Sequence, residues 1–518
     1  MNQRRETLAL AGIILICITS IGSVYLIFTG NPAPAPEVSV RGGYVLDQTT
    51  DQTVIRAMAL SIQLNLSAHA GGLLNNHQVL ITNINTHRVT FSSNVSYSIV
   101  YSNGSSNILR LETQLPNASI TMDTSDASPL NFYVFGDSQG YQGSIQDIVT
   151  TANHLHPDML FHCGDITPFG QEKQYQRFDD ATGNLSVPLF LTAGNHDIKL
   201  NGGQRYQSRY GPSTYSFDFG GAHFTIFNSS AGDVSESILQ WLEDDLSTAV
   251  AEHKFVFTHI PPFDPRPGGN HTLLNTTTAT RLMNIFESES VNVVFAGHIH
   301  MFNVSTPSTV TYVITGGAGA TLYETAEKGG IYHYVNVTVS GPQVRIEPVA
   351  LEEPSFARDQ VVIRGRNEDL TLTIDDLMQL PTIEGFSSFQ NQLENWHGQG
   401  VYKGVKISDL LALVGGMTTE NTLRVTANDG YQQEFCYDNV YPNESWYQLQ
   451  GDMILAYSYN GTTVPDWSTG LRLAMLPEDG QYSNGDCLQT SAPGMGCDIY
   501  LSAGARWVRY TQIIEVVP

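Results

Sequence analysis

Five short blocks of this chain each join an apolar run to residues that bind cations. Phe135-Gly136-Asp137-Ser138-Gln139 closes the first run and Cys163-Gly164-Asp165 the second. Ala193-Gly194-Asn195-His196-Asp197 closes the third, Thr258-His259 a later one and Ala296-Gly297-His298-Ile299-His300 another. Ligands at the carboxyl ends of adjacent strands converge on one crevice. Carboxylate, imidazole and amide oxygen together suit two divalent ions, with Mn, Fe and Zn as the candidates. A bridging carboxylate would hold the ions about 3.5–4 Å apart. Such a pair polarises phosphoryl oxygens and orients an activated water for in-line attack on phosphorus. A nearby imidazole can protonate the departing oxygen. A lone Gly-Asp or Gly-His means nothing, since turns are full of both. The ordered set of five carries the reading.

These residues need strands to hold them. Apolar runs at 131–135, 159–163, 189–192, 223–228, 254–258, 291–296 and 310–315 read as strands. Stretches 144–153, 235–251 and 278–289 read as helices between them. That alternation predicts a layered α/β fold. Residues 38–123 show only short β-like runs and polar turns, which predicts a small β-sandwich with no chemistry of its own. From about residue 359 a mixed α+β unit begins, with a helix over 407–414 and a closing strand over 512–517. A chain of 518 residues has room for two or three such domains.

The five blocks resemble the calcineurin-like metallophosphoesterases, whose order is Asp-x-His, Gly-Asp, Gly-Asn-His-(Asp/Glu), His, Gly-His-x-His. The match spans roughly residues 130–349. It implies a four-layer αββα domain and a two-metal site. Asp165 would bridge the ions. Asp137 and His300 would bind the first, and Asn195, His259 and His298 the second. His196 would be the acid that meets the leaving group, with Asp197 orienting it. Gln139 stands where the family usually has His. It either ligates more weakly than imidazole or does not coordinate. Asp165 is followed by Ile166-Thr167-Pro168, without the Tyr that purple acid phosphatases use as an iron ligand. That argues against their redox-active iron pair, although a preceding β-sandwich is similar to theirs.

The C-terminal unit resembles the molybdopterin-binding domain of sulfite-oxidase-like proteins over about 359–518. The resemblance rests on Tyr402 to Leu411, Asn428-Asp429-Gly430-Tyr431, Leu471 to Asp479 and Ala505 to Val508. In those enzymes a Cys upstream of the Gly-Val segment ligates molybdenum. Residues 383–396 contain no Cys, and Cys436 lies downstream. No molybdopterin is therefore expected, and no cofactor-binding residues are assigned. The expected domains are 1–36 (membrane anchor and Pro-rich spacer), 37–125 (β-sandwich), 126–356 (phosphoesterase) and 357–518 (molybdopterin-binding fold).

Composition bounds the partners. The 50 Asp+Glu against 25 Lys+Arg give a net charge of −25, and no basic run offsets it. Such a chain repels nucleic acid, so a small phosphorylated substrate is expected and no nucleic acid. Arg4 and Arg5 precede an uncharged apolar run, Leu8 to Phe28, long enough to span a bilayer. The positive-inside rule then predicts a single N-terminal pass in the cell membrane, with the bulk of the chain extracytoplasmic. A cleaved signal peptide is the alternative. Twelve downstream Asn-x-Ser/Thr sites fit an exported glycoprotein. Cys487 and Cys497 are the closest cysteines in sequence and candidates for a disulfide, though spacing alone fixes no pairing. The expectation is a membrane-anchored, metal-dependent phosphoesterase acting on small mono- or diesters. The alternatives are a non-catalytic surface ligand-binding protein with a structural metal site, and a pterin-dependent oxidoreductase.

Overall fold

Burial alternation sets the N-terminal part in a computed structural model of the chain. It describes residues 34–517 apart from Ala70, 126–128, Phe169, Thr321, 353–359, 367–368, Asp429 and Ser468. In Ser61–Ser67 every second residue is buried, which presents Ile62, Leu64 and Leu66 to one side. That strand lies in a four-stranded sheet ordered Glu37–Arg41, Ser61–Ser67, Asn117–Thr124, Val89–Ser93. A five-stranded sheet is ordered Gly43–Gln48, Gln52–Ala57, Gln78–Thr82, Ser106–Leu111, Tyr97–Ser102. Both contribute to one apolar cluster that includes Ile55, Leu64, Val79 and Ile120.

The central strands are apolar on both faces, as parallel strands covered on both sides must be. One sheet is ordered Leu189–Leu191, Met159–His162, Leu130–Phe135, His333–Ser340, Gln343–Ala350, the first three parallel. The other is ordered Tyr215–Phe219, Ala222–Ile226, His253–Thr258, Val293–Ala296, Thr311–Thr315, Phe302–Ser305, its middle four parallel. Phenylalanines from both sheets share one cluster. Phe132 meets Phe161, Phe224 and Phe255 edge-on at 5.5, 5.6 and 5.2 Å, and Phe161 stacks on Phe257 at 3.9 Å. Each such ring contributes about 2–3 kcal/mol by burial. Together they lock the two sheets in register, so the ligand-bearing strand ends come out side by side.

Helices cover the outer faces. Gln142–Leu155 buries Ile145, Ile148, Val149 and Ala152 at helical spacing, within the cluster behind the first sheet. Glu236–Thr248 and Thr276–Ser288 back the second sheet with Leu242, Leu246, Leu282 and Phe286. Ser235 caps the former through the Ile238 N–H, and Asn275 caps the latter through Thr277 and Thr278. The first of these two helices stops at Thr248 because Ala249 is extended, earlier than its apolar pattern predicts.

The C-terminal part has two five-stranded sheets around one core. The first is ordered Asp369–Thr373, Gln360–Arg364, Thr511–Val517, Thr422–Ala427, Gln432–Phe435. The second is built on Thr382–Gln390, Trp396–Lys406 and Asp452–Tyr459, and Arg472–Leu476 pairs with the last of these. Cys487 and Cys497 form a disulfide, while Cys163 and Cys436 are free thiols. The expected membrane placement needs correction. Among the described residues no helix is long and apolar enough to cross a membrane. The expected span, Leu8 to Phe28, and the spacer up to residue 33 lie outside the described residues.

Candidate metal centre

The strand ends deliver the predicted residues to one place. Asp137, Gln139, Asp165 and His298 all take left-handed backbone angles, with φ of 59°, 42°, 57° and 68°. Non-glycine residues rarely do so, and such conformations gather at functional sites. The turns interlock: the Asp137 N–H donates to the Gly164 carbonyl at 3.0 Å and the Gln139 N–H to the Asp165 carbonyl at 2.9 Å. Glycine precedes the ligands because nothing larger fits. A Cβ on Gly194 would stand 2.1 Å from Asp165 Oδ1, and one on Gly297 2.4 Å from Asp137 Oδ2.

The donor set fits a cation. His259 Nδ1–H donates to the Cys163 carbonyl at 2.8 Å, which fixes the tautomer and leaves Nε2 with its lone pair. That lone pair faces Asp165 Oδ1 at 3.3 Å and Asn195 Oδ1 at 2.9 Å. Asp137 Oδ1 is buried with no hydrogen-bond partner among the described residues, 3.4 Å from His300 Nε2. Ligand atoms of Asp137, Asp165 and His259 all lie within 4.8 Å of one another, a group that could hold a metal ion. Acceptors crowded this way repel one another, and a divalent cation among them turns the repulsion into attraction.

Ionisation points the same way. Burial would push Asp165 up, but His259 and His196 outweigh it and hold its carboxyl below the usual range. Burial, then His259, brings His298 down to about 3, so its ring keeps a lone pair at neutral pH. The His298 N–H donates to Asp137 Oδ2 at 2.8 Å, and its ring sits edge-on to His259 at 5.1 Å. Gln139 turns its amide nitrogen toward Asp165 Oδ2 at 3.3 Å and His300 Nε2 at 3.5 Å. In this rotamer it presents a donor. Turned about its last bond it would present the oxygen instead.

His196 stands beside the acceptor cluster. Its N–H donates to Asp165 Oδ1 at 2.8 Å, and its Nε2 is 4.0 Å from Asp165 Oδ2. Its Nδ1 bonds the Pro168 carbonyl at 2.7 Å. The expected pairing of His196 with Asp197 is therefore corrected. The buried Asp197 carboxylate instead accepts from the backbone N–H groups of Ile166, Thr167 and Gly194 at 3.1, 2.8 and 2.9 Å. It ties the loop after Asp165 to the loop before Asn195. Burial, then the charge of Asp165, raises its pKa.

Two arginines that follow the Asn195-His196 block are committed away from the acceptor cluster. Arg205 donates to the Gly170 and Leu200 carbonyls, and Arg209 pairs with Glu172 and Asp179. His271 lies near the site. Its ring is 5.7 Å from that of His298 and 5.0 Å from that of Tyr323. Tyr323 in turn stacks on His300 at 4.2 Å, with the Arg266 guanidinium 5.4 Å from its ring centre. No spacing in the sequence announced Tyr323.

Known proteins match the same region. The calcineurin-like phosphoesterase family model matches residues 130–302. The oxidoreductase molybdopterin binding domain model matches residues 352–470. The phosphoesterase region is similar to the glycerophosphodiester phosphodiesterase GpdQ of Enterobacter lignolyticus. The two are 28% identical over 171 residues, 30% of this chain and 60% of that protein. It is also similar to the 3′,5′-cyclic adenosine monophosphate phosphodiesterase CpdA of Escherichia coli, 26% identical over 175 residues, 31% of this chain and 60% of that one. The chain thus spans less than two thirds of the length of either relative. A purple acid phosphatase from yellow lupin (Lupinus luteus) seeds matches with a TM-score of 0.41 and 13% identity, covering 61% of this chain and 72% of that one.

The molybdopterin match sits on residues that do not supply its metal ligand. Cys487 and Cys497 bond each other, and Cys436 starts the helix Tyr437–Val440 with its Sγ 3.4 Å from Asn439 Oδ1. Neither Thr382–Gln390 nor Trp396–Lys406 carries a thiol. A molybdenum-thiolate bond has no partner there.

Proposed function

We propose that the chain is a metal-dependent phosphoesterase that hydrolyses small phosphate mono- or diesters. The observation that carries this reading is the facing of Asp137, Asp165, Asn195 and His259 acceptor atoms with no proton to share, beside His196. Asp165 would bridge two divalent ions drawn from Mn, Fe or Zn, with Asp137 and His300 on one side and Asn195, His259 and His298 on the other. Ions so held supply Lewis-acid polarisation of the phosphoryl group and an activated water. His196, anchored by its Nδ1 on Pro168, keeps Nε2 toward the site, where as an imidazolium it would protonate the leaving oxygen. Asp197 positions both ligand loops. The phosphodiesterase relatives make glycerophosphodiesters and cyclic nucleotides the first substrates to try.

The N-terminal sheets, which share one core, fit a small β-sandwich over 37–125. The central sheets and their covering helices fit a four-layer αββα stack over 126–356. Residues 357–518 fit a cofactor-free relative of the molybdopterin-binding fold. The test uses the purified full chain, stripped by chelator and reloaded with Mn, Zn or Fe. It is assayed on 4-nitrophenyl phosphate and bis(4-nitrophenyl) phosphate. Metal-dependent turnover that Asp165→Asn lowers more than about a hundredfold supports the reading. Folded, metal-loaded protein with no turnover on either ester contradicts it.

A further inference from the structure

The phosphoesterase cleft has a second wall, and it comes from the C-terminal domain. A cavity of about 200 Å³ opens between Gln139 and His196 on one side and Asn428, Trp507 and Arg509 on the other. The two domains are fastened beside it: Arg177 donates to the Gly430 carbonyl. A Cβ on Gly430 would lie 2.4 Å from Arg177 Nη1 and 3.5 Å from the Gly140 carbonyl, so Gly430 rests on the loop just after Gln139. The residues around it are braced by Ala427 N–H to Tyr431 O at 2.8 Å and Asn428 N–H to Tyr510 O at 3.0 Å.

The wall carries unused hydrogen-bonding capacity. Both polar atoms of the Asn428 amide are shielded and have no hydrogen-bond partner among the described residues. The same holds for the indole N–H of Trp507, a residue only 2% exposed. Buried polar groups are almost always paired, so three such atoms on two residues lining one cavity call for an explanation. Packing does not leave them there by looseness. The indole is wedged against Phe389 and Tyr402, at 4.9 and 5.1 Å, under the Arg472 guanidinium at 5.6 Å. A rigid ring with an unmet donor is a preorganised recognition element. Arg509 adds an exposed guanidinium on the same cavity.

Position says which part of a substrate would lie there. His196 lines the cavity, and in the proposed reaction it meets the leaving oxygen. Whatever that oxygen carries extends away from the phosphoryl group, into this cavity. The volume admits a sugar or single-ring group and excludes a polymer.

We propose that Asn428, Trp507 and Arg509 of the C-terminal domain bind the leaving alcohol of the ester across the cleft from Gln139 and His196, and so set substrate specificity. The inference rests on the phosphoesterase reading. The preferred alcohol is compact and polar. It offers acceptors to the indole N–H and the guanidinium, and a mixed donor–acceptor edge to the Asn428 amide. The fold that elsewhere holds a pterin serves here as a lid on a hydrolase.

The test compares esters that differ in the alcohol, in the full metal-loaded chain. A glycerophosphodiester and a nucleoside 3′,5′-cyclic phosphate are measured against bis(4-nitrophenyl) phosphate, whose aryl groups lack hydroxyl and amide edges. Trp507→Phe keeps the ring and removes the N–H, Asn428→Ala removes the amide, and Arg509→Gln changes an exposed side chain that folding does not need. The ratio of kcat/KM for the better polar ester to that for the reference should fall at least tenfold, chiefly through KM. In a His196→Gln background, where turnover is slow and the metal is retained, calorimetry should show its Kd rise by a similar factor. Ratios and Kd unchanged within twofold in all three variants would overturn the inference and leave the phosphoesterase reading intact. Absence of turnover in the wild type with every ester and metal would overturn both.

Discussion

The two domains that face each other across the cleft hold their polar residues differently. In the phosphoesterase domain, buried parallel strands end in glycine and then a ligand, and the side chains are acceptors packed within about hydrogen-bond distance of one another. In the C-terminal domain the strands are mostly antiparallel, and its loops offer neutral donors, an amide and an exposed guanidinium. Its two closely spaced cysteines are spent on each other. One wall concentrates charge that only a cation can reconcile. The other offers shape and single hydrogen bonds, which suits recognition and not chemistry. On the proposed reading, metal and reaction fall on one side of the cleft and selectivity on the other.

That division breaks most readily at Asp165. Asp165→Asn should lower kcat more than about a hundredfold and should also reduce bound metal measured by elemental analysis. His196→Gln sharpens the comparison within the charged wall. Turnover should drop about a hundredfold or more, the usual range for loss of a general acid, while metal content stays at the wild-type level. If metal is lost as well, His196 belongs to the ligand set.

A third test addresses the neutral wall. Cys487→Ser should destabilise the chain by about 2–3 kcal/mol, as expected for a disulfide closing a short loop, in denaturant melts. Metal content should not change. Joint loss of metal would show that the two walls are not separable.

The smallest effect is a pH-dependent one far from the cleft. Burial lowers His223, but its hydrogen bonds to Asp245 and Asp218 outweigh it and raise the pKa above 6.5. Burial raises Asp245, but His223 and Ser216 outweigh it and lower the pKa below 3.8. The raised group contributes fully below 6.5, and its share is lost as pH rises through its folded value. The lowered group contributes fully above 3.8, and its share is lost as pH falls through its folded value. The stability difference between wild type and Asp245→Asn should therefore peak between those values, at about 1–2 kcal/mol. A difference that instead grows above neutral pH would contradict the assigned directions.

Much of the candidate site was legible because each candidate ligand follows an apolar strand, usually after a glycine. The physical reason is visible at Gly194 and Gly297, where a Cβ would collide with Asp165 and Asp137. Strands with long apolar runs were legible too. The edge strands Tyr215–Phe219 and Phe302–Ser305, and the antiparallel pair His333–Ser340 and Gln343–Ala350, were not. Their polar alternation resembles loop sequence; three of them pair only with neighbours close in the chain, and His333–Ser340 is placed by Leu130–Phe135, far along it. The role of Asp197 was misread for a related reason. The family resemblance implied a pair with His196, but the turn sends its carboxylate back toward Ile166, Thr167 and Gly194. Asn428 and Trp507 were legible only as part of the molybdopterin-binding resemblance, because the packing of one domain on the other is what brings them to the cleft.

The central claim is that the acceptor cluster at these strand ends is a metal centre. The direct measurement is an anomalous-scattering map from crystals of the full chain loaded with manganese. The account predicts two peaks, with the carboxylate of Asp165 between them, and His259 Nε2 and an Asp137 oxygen within about 2.0–2.4 Å of one ion or the other. Manganese that binds elsewhere, or an empty cluster in protein shown to carry the metal, would contradict it.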